Sequence, residues 1–150
     1  MLRQLTRKYF NEWVTVSPRD GRSVFSHTER SRAIEMSEHL RAVRRAFPHD
    51  LLVMFLDGAS WHGGQDLVVP ESVHLHHLLA YSPELNPAEQ VWDYLRENFT
   101  ANLTFDDLFA LEVQVRVACV RLQRAHDMIR SLTLYPWIER AASRFGKLIV

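Results

Sequence analysis

A short, unbroken apolar run at residues 51–56 limits the possible folds more than any other segment, and Asp57 and Gly58 end it. Six consecutive apolar side chains leave no polar face, so a strand made from them has to be buried on both sides, as in a mainly parallel sheet. Before it, apolar residues recur at helical spacing over residues 29–47 until Pro48. A helix followed by a buried strand predicts a crossover unit and the α/β class.

Local patterns predict the remaining elements. Aromatic and β-branched residues followed by the turn sequence Ser-Pro-Arg-Asp-Gly indicate a β-hairpin over residues 9–27. Thr28 is the predicted N-cap of the helix at 29–47. Further strands are predicted at residues 51–57 and 73–79, and further helices at residues 87–99 and 105–126.

The composition is that of a single globular domain. The chain has 150 residues, of which 47% are hydrophobic and 24% are charged, and it has one cysteine. No run approaches the roughly 18 apolar residues that a membrane span requires, and the N-terminus has no apolar leader segment. We therefore expect a cytoplasmic protein without a membrane partner.

The formal net charge of zero hides a segmental pattern. Residues 1–50 have a net charge of +4, residues 51–112 have −9, and residues 113–150 have +5. Neutral composition alone argues against a strongly basic nucleic-acid-binding module. The pattern itself has two interpretations, solvated helix faces or a carboxylate-rich metal centre between arginine-rich surfaces.

Two carboxylates are the candidates for chemistry. Asp57 follows the buried strand, and side chains at the carboxyl ends of such strands emerge where ligands bind. Glu89 lies in the first turn of the helix whose predicted N-cap is Asn86 and whose first residue is Pro87. If the two strands are neighbours, both carboxylates could share a divalent ion in two-metal phosphoryl transfer. Ordinary capping roles explain each carboxylate nearly as well.

The histidines carry less information. His62 could contact a scissile phosphate or orient a carboxylate. More often, such a histidine only makes hydrogen bonds within its own loop. His74 and His76 would share one face of a strand, but no cysteine or His-Glu-x-x-His helix accompanies them, which disfavours zinc.

LDGASWH at residues 56–62 and YSPELNPAEQVW at residues 81–92 are the most specific motifs in the chain. Both closely resemble the DDE transposases of bacterial insertion sequences in the mariner-like superfamily, and the likeness extends over most of the chain. The resemblance implies a ribonuclease H-like fold, a mixed sheet flanked by helices, that binds two Mg²⁺ or Mn²⁺ ions and cuts and rejoins DNA. It implies that Asp57 and Glu89 are catalytic and bind metal, with Asn86 and His62 supporting them.

The same resemblance implies an incomplete catalytic domain. In this family the first catalytic aspartate lies on a central strand before the hairpin, and this chain starts too late to include it. Glu12 and Asp20 are poor substitutes. We therefore expect a C-terminal transposase fragment that binds Mg²⁺ weakly and is nearly inactive alone.

The expected partners are DNA, as transposon ends and target, and an N-terminal transposase polypeptide or a second copy of the chain. The alternative function is a non-catalytic DNA-binding or regulatory remnant that uses the arginines of residues 30–45 and 116–130 to hold phosphates. The sequence does not identify individual DNA-binding residues.

Overall fold

The computed structural model describes residues 10–57, 65–79, 82–101, 108–145 and 148–149. Its strands are β1 (Asn11–Ser17), β2 (Arg22–Thr28), β3 (Leu52–Leu56), β4 (Val73–His77) and β5 (Leu148–Ile149). Its helices are α1 (Ala33–Ala46), α2 (Ala88–Leu95), α3 (Leu108–Arg124), α4 (His126–Thr133) and α5 (Pro136–Phe145). A 3₁₀ turn at Pro83–Leu85 precedes α2, and a π-helical turn at Arg96–Thr100 follows it.

β1 and β2 form an antiparallel hairpin in the region where the sequence predicts one, residues 9–27. The turn depends on Gly21, which has a φ of 72° and donates its N–H to the Ser17 carbonyl oxygen at 2.9 Å. A Cβ at Gly21 would lie 2.0 Å from the carbonyl oxygen of His126. The hairpin turn therefore packs against the start of α4 only because this residue has no side chain.

α1 begins later than the predicted start at residue 29, and the prediction that Thr28 caps it is wrong. Thr28 is the last residue of β2. Its hydroxyl accepts a hydrogen bond from Trp13 Nε1 at 2.8 Å and donates one to the carbonyl oxygen of Arg30 at 2.7 Å. Arg32 takes the N-cap position in an extended conformation, without a side-chain capping bond. The Thr28 hydroxyl, which the local sequence pattern predicted as a helix cap, therefore makes its hydrogen bonds within the hairpin and just after it.

β3 and β4 are parallel neighbours, paired from Leu52 opposite Val73 to Leu56 opposite His77. Each is shorter than the predicted strands at 51–57 and 73–79. β5 was not predicted, and it pairs in parallel with the middle of β3 on the side away from β4. The strand order is β4-β3-β5, so β3 is the central strand of this sheet.

The predicted helix at residues 105–126 is divided. α3 ends at Arg124, and Ala125 has φ −94° and ψ 67°, outside the helical region, before α4 begins at His126. The helix predicted at 87–99 changes its hydrogen bonding after Leu95, where the π-helical turn begins.

Two hydrophobic clusters hold the described elements together. The first joins α1 to β2, β3 and β4: Val24, Met36, Leu40, Val43, Phe47, Leu52, Met54 and Val73. The second joins β1 to α2, α3 and α4: Val16, Val91, Leu95, Ala118, Cys119, Leu122 and Ile129. The hairpin contributes to both clusters and so connects them.

The α/β class is confirmed, but the strands do not form one mixed sheet. In the described part of the chain, the antiparallel hairpin and the three-stranded parallel sheet are separate sheets. β5 pairs with β3 and lies near β1, so β5 occupies part of the gap that separates the two sheets. Among the helices that the structure describes, none is long and apolar enough to span a membrane.

Candidate active site

A cleft of about 630 Å³ occupies the gap between the two sheets. β1, the start of α1, the end of β3 and the start of α2 all contribute to its walls. Three of the four predicted site residues, Asp57, Asn86 and Glu89, line this cleft. His62, the fourth, lies outside the described residues. The structure therefore brings together side chains from segments 32 positions apart in the sequence.

Asp57 reaches the cleft because it follows the last residue of β3. Leu52 and Met54 face the hydrophobic core, while Asp57 is exposed at the strand's carboxyl end. The ladder with β4 also ends here, with a last hydrogen bond of 2.7 Å from the Leu78 N–H to the Leu56 carbonyl oxygen. The end of a parallel strand is the position where α/β proteins commonly present ligand-binding side chains.

Glu89 is positioned by the local structure at the start of α2. Asn86 is 9% exposed, and its Oδ1 accepts a hydrogen bond from the Ala88 N–H at 3.1 Å. Its carbonyl oxygen accepts another from the Glu89 N–H at 3.1 Å. Pro87, with φ −62° and ψ −22°, already has helical backbone angles. Asn86 therefore fixes the first turn of α2, which presents the half-buried Glu89 to the cleft.

Aromatic side chains form much of the remaining wall. Trp13 and Trp92 line the cleft from β1 and α2, and Arg96 adds a cation at the end of α2. Behind Trp92, the ring of Phe25 packs edge-on at a centroid distance of 6.3 Å. The cleft thus combines three carboxylates, those of Glu12, Asp57 and Glu89, with flat apolar surfaces and the guanidinium group of Arg96.

His39 supports this wall from α1, and the sequence analysis missed it. The side chain is 2% exposed, and its two ring nitrogens lie 2.8 Å from Thr15 Oγ1 and 2.7 Å from Ser26 Oγ. Its ring stacks on Trp13 at a centroid distance of 6.1 Å. Burial lowers the pKa of His39 to about 4, so the imidazole is neutral near pH 7. The clue in the sequence was its spacing from Met36, which places both residues on the buried face of α1.

Glu12 also lines the cleft, but its carboxylate has another partner. It accepts a hydrogen bond from His27 Nδ1, and His27 Nε2 lies 2.8 Å from Glu112 Oε1 on α3. Arg116 completes the group at 3.0 Å from Glu112. Burial raises the pKa of Glu12, and hydrogen bonding to His27 partly opposes that rise. Glu12 thus connects the hairpin to α3, consistent with its being a poor substitute for the first catalytic aspartate.

The other acidic and histidine candidates lie elsewhere. Asp20 is in the hairpin turn, where Oδ1 accepts a hydrogen bond from the Arg22 N–H at 3.1 Å. His74, His76 and His77 are exposed on β4. Within the described ranges, no group of three or more histidine, cysteine, aspartate or glutamate residues is arranged to hold a metal ion.

The chain was compared with protein families, with curated proteins and with solved structures. The family model described as DDE superfamily endonuclease matches residues 4–112. The uncharacterized protein y4pE/y4sA of Sinorhizobium fredii (strain NBRC 101917 / NGR234) is 35% identical over 107 residues, which cover 71% of this chain and 79% of that protein. No solved structure matches the chain significantly.

Proposed function

The chain belongs to the DDE superfamily endonucleases, and from this we propose that Asp57 and Glu89 are two carboxylates of a metal-dependent site that cleaves DNA strands. One observation carries the proposal. These two side chains, from the end of β3 and the first turn of α2, line the same cleft. Separate capping roles for Asp57 and Glu89 would not require both side chains to line the same cleft.

The donor groups fit a hard divalent cation. Mg²⁺ in phosphoryl-transfer sites is commonly held by one or two carboxylates, while water and substrate phosphates supply the other ligands. Asp57 and Glu89 would be the protein ligands for Mg²⁺ or Mn²⁺. When bound, such a cation polarises the phosphate and lowers the pKa of bound water. Because Glu12, the other carboxylate among the described cleft residues, is paired with His27, we propose that Asp57 and Glu89 alone bind the cation weakly.

The other cleft residues have supporting roles. Asn86 orients Glu89 through the first turn of α2, and the exposed Arg96 can pair with a DNA phosphate. The proposed reaction is that of insertion-sequence transposases. Water hydrolyses a phosphodiester bond at a transposon end, and the freed 3′ hydroxyl then attacks target DNA. His62 is the remaining candidate for a phosphate contact.

We further propose that a second polypeptide completes the site with a strand and a third carboxylate. β1 and β3 belong to different sheets, and of the described strands only the two-residue β5 lies between them, which supports this proposal. An extended chain that replaced β5 would find unpaired backbone groups along the edge of β1 and along β3. The partner that fits is an N-terminal transposase polypeptide whose strand ends in aspartate.

Mn²⁺-dependent nicking of a plasmid that carries the transposon ends tests the proposal, with the chain co-expressed with the product of the upstream reading frame. We expect the chain alone to nick little and the complex to nick. Asp57→Asn and Glu89→Gln should each reduce nicking to background, because each removes a ligand charge and keeps the side-chain shape. The control is Glu84→Gln, an exposed residue of the neighbouring 3₁₀ turn outside the cleft. A stable complex that never nicks would overturn the proposal.

The second candidate function is a DNA-binding or regulatory protein without catalysis. It is favoured by the exposed arginines of α1 and of the segment from α3 to α4: Arg41, Arg45, Arg116, Arg121, Arg124 and Arg130. Such a protein would bind DNA with an affinity that falls steeply as salt rises. That affinity would survive Asp57→Ala combined with Glu89→Ala, and nicking would be absent throughout.

A further inference from the structure

The outer face of α3 is apolar and exposed. A stripe of four side chains runs along it at spacings of four, four and three residues: Phe109, Val113, Val117 and Val120. Their exposed fractions lie between 41% and 73%. We call this set the α3 stripe. Single exposed apolar residues are common, but four in one row form a continuous patch, which on a folded protein usually marks a contact surface.

The opposite face of α3 is buried in the protein. Ala118, Cys119 and Leu122 are buried in the second hydrophobic cluster, against β1, α2 and α4. α3 is therefore apolar on two opposite faces, of which the fold covers one. An apolar helix face normally packs against another element. The α3 stripe is exposed, so it lacks such a partner in the described part of the chain.

We propose that the α3 stripe is the contact surface between two copies of this chain, with the two α3 helices antiparallel about a twofold axis near residue 115. A twofold contact requires a surface that is complementary to itself. Reversing the helix about residue 115 places Val113 opposite Val117 and Phe109 within one residue of Val120, so apolar residues of the stripe face each other. This inference concerns assembly and does not depend on the proposed cleavage activity.

The charges beside the stripe favour the antiparallel orientation. Glu112 and Arg116 form an ion pair at 3.0 Å along one edge of the stripe. Reversal brings Glu112 of one copy to within about two residues, or roughly 3 Å along the axis, of Arg116 in the other. In a parallel twofold pair the two copies of this edge would lie on opposite sides of the contact, so Glu112 of one copy would not approach Arg116 of the other. The antiparallel pair also separates the exposed Arg121 and Arg124 from their counterparts.

Sedimentation of the full chain over a range of concentrations tests the contact. We expect a monomer–dimer equilibrium that Val117→Glu weakens by about tenfold or more, because the substitution places a charge near the centre of an apolar contact. Ile34→Glu is the matched control, since Ile34 is a similarly exposed β-branched residue on α1. Far-ultraviolet circular dichroism checks that both variants are folded. A wild-type chain that stays monomeric, or a dimer that Val117→Glu leaves intact, would overturn the proposal.

Disulfide formation tests the orientation without relying on a destabilising variant. Val113→Cys and Val117→Cys are prepared separately, then mixed and oxidised. The antiparallel contact predicts more 113–117 cross-links in the mixture than 113–113 or 117–117 cross-links. The native thiol gives little background, because Cys119 is 3% exposed and burial raises its pKa to about 12. An excess of 113–113 and 117–117 products would contradict the antiparallel arrangement.

Discussion

Lowering the pH from about 7.5 to about 5 should destabilise the fold through His39, the buried imidazole behind the cleft wall. Its two ring nitrogens are hydrogen-bonded to the hydroxyl groups of Thr15 and Ser26. Burial in the folded protein holds the ring neutral, with a pKa of about 4 against 6.5 for a solvated histidine. The unfolded chain has no such constraint, so it binds a proton at a higher pH than the native state.

The size of the effect follows from these two pKa values. A group whose pKa is lowered on folding favours the unfolded state once the pH falls below the unfolded pKa. Each unit of difference corresponds to about 1.4 kcal/mol. At about pH 5 the unfolded ring is mostly protonated and the folded ring mostly neutral, which costs about 2 kcal/mol. The loss reaches about 3 kcal/mol near pH 4, where the folded ring also begins to titrate.

Urea unfolding at both pH values measures this loss, with His39→Gln as the reference protein. Glutamine keeps a hydrogen-bonding side chain but has no proton to gain in this range. Other groups, such as Glu12, titrate in both proteins, so their contributions cancel when the two pH changes are compared. We expect the wild-type free energy of unfolding to fall by about 2 kcal/mol more than that of His39→Gln. Equal falls in the two proteins would refute the assignment of a buried, neutral His39.

Three further substitutions test the structure around the cleft. Gly21→Ala should lower the free energy of unfolding by about 2 kcal/mol or more in urea titrations, because φ is 72° and the added Cβ meets the His126 carbonyl. Asn86→Ala should cost about 1 kcal/mol by the same method and weaken Mn²⁺ binding, since the start of α2 loses its cap. Leu40→Ala should cost about 2–5 kcal/mol in thermal unfolding, while Ile34→Ala on the exposed side of α1 should cost far less.

Features with local causes could be predicted from the sequence. The Asn-Pro-Ala-Glu segment contains its own capping group and a proline suited to the first turn, and α2 begins at Ala88 in the structure, close to the predicted residue 87. The apolar run before Asp57 likewise indicated a strand, and β3 lies at the centre of the parallel sheet. The prediction of burial on both faces is confirmed only in part, because Leu52 and Met54 are buried while the residues between and after them are half-buried. These features depend on interactions between residues a few positions apart. They can therefore be predicted without knowing the rest of the fold.

Features with distant causes could not be predicted in this way. Thr28 has the chemistry of an N-cap, but Trp13 of the neighbouring strand binds its hydroxyl instead. β5 is two residues long and forms only because β3 presents an edge nearby. His39 is neutral because it is buried against the hairpin, where Thr15 and Ser26 hydrogen-bond its ring. In each case the deciding partner lies more than ten positions away along the chain.

Mn²⁺ binding to the isolated chain, followed by the electron paramagnetic resonance signal of free Mn²⁺, tests the central claim most directly. The claim is that Asp57 and Glu89 together form one cation site in the cleft. It predicts weak binding by the wild type, a loss of affinity of at least about tenfold in both Asp57→Asn and Glu89→Gln, and no change in Glu84→Gln. Equal Mn²⁺ binding by all four proteins would contradict it.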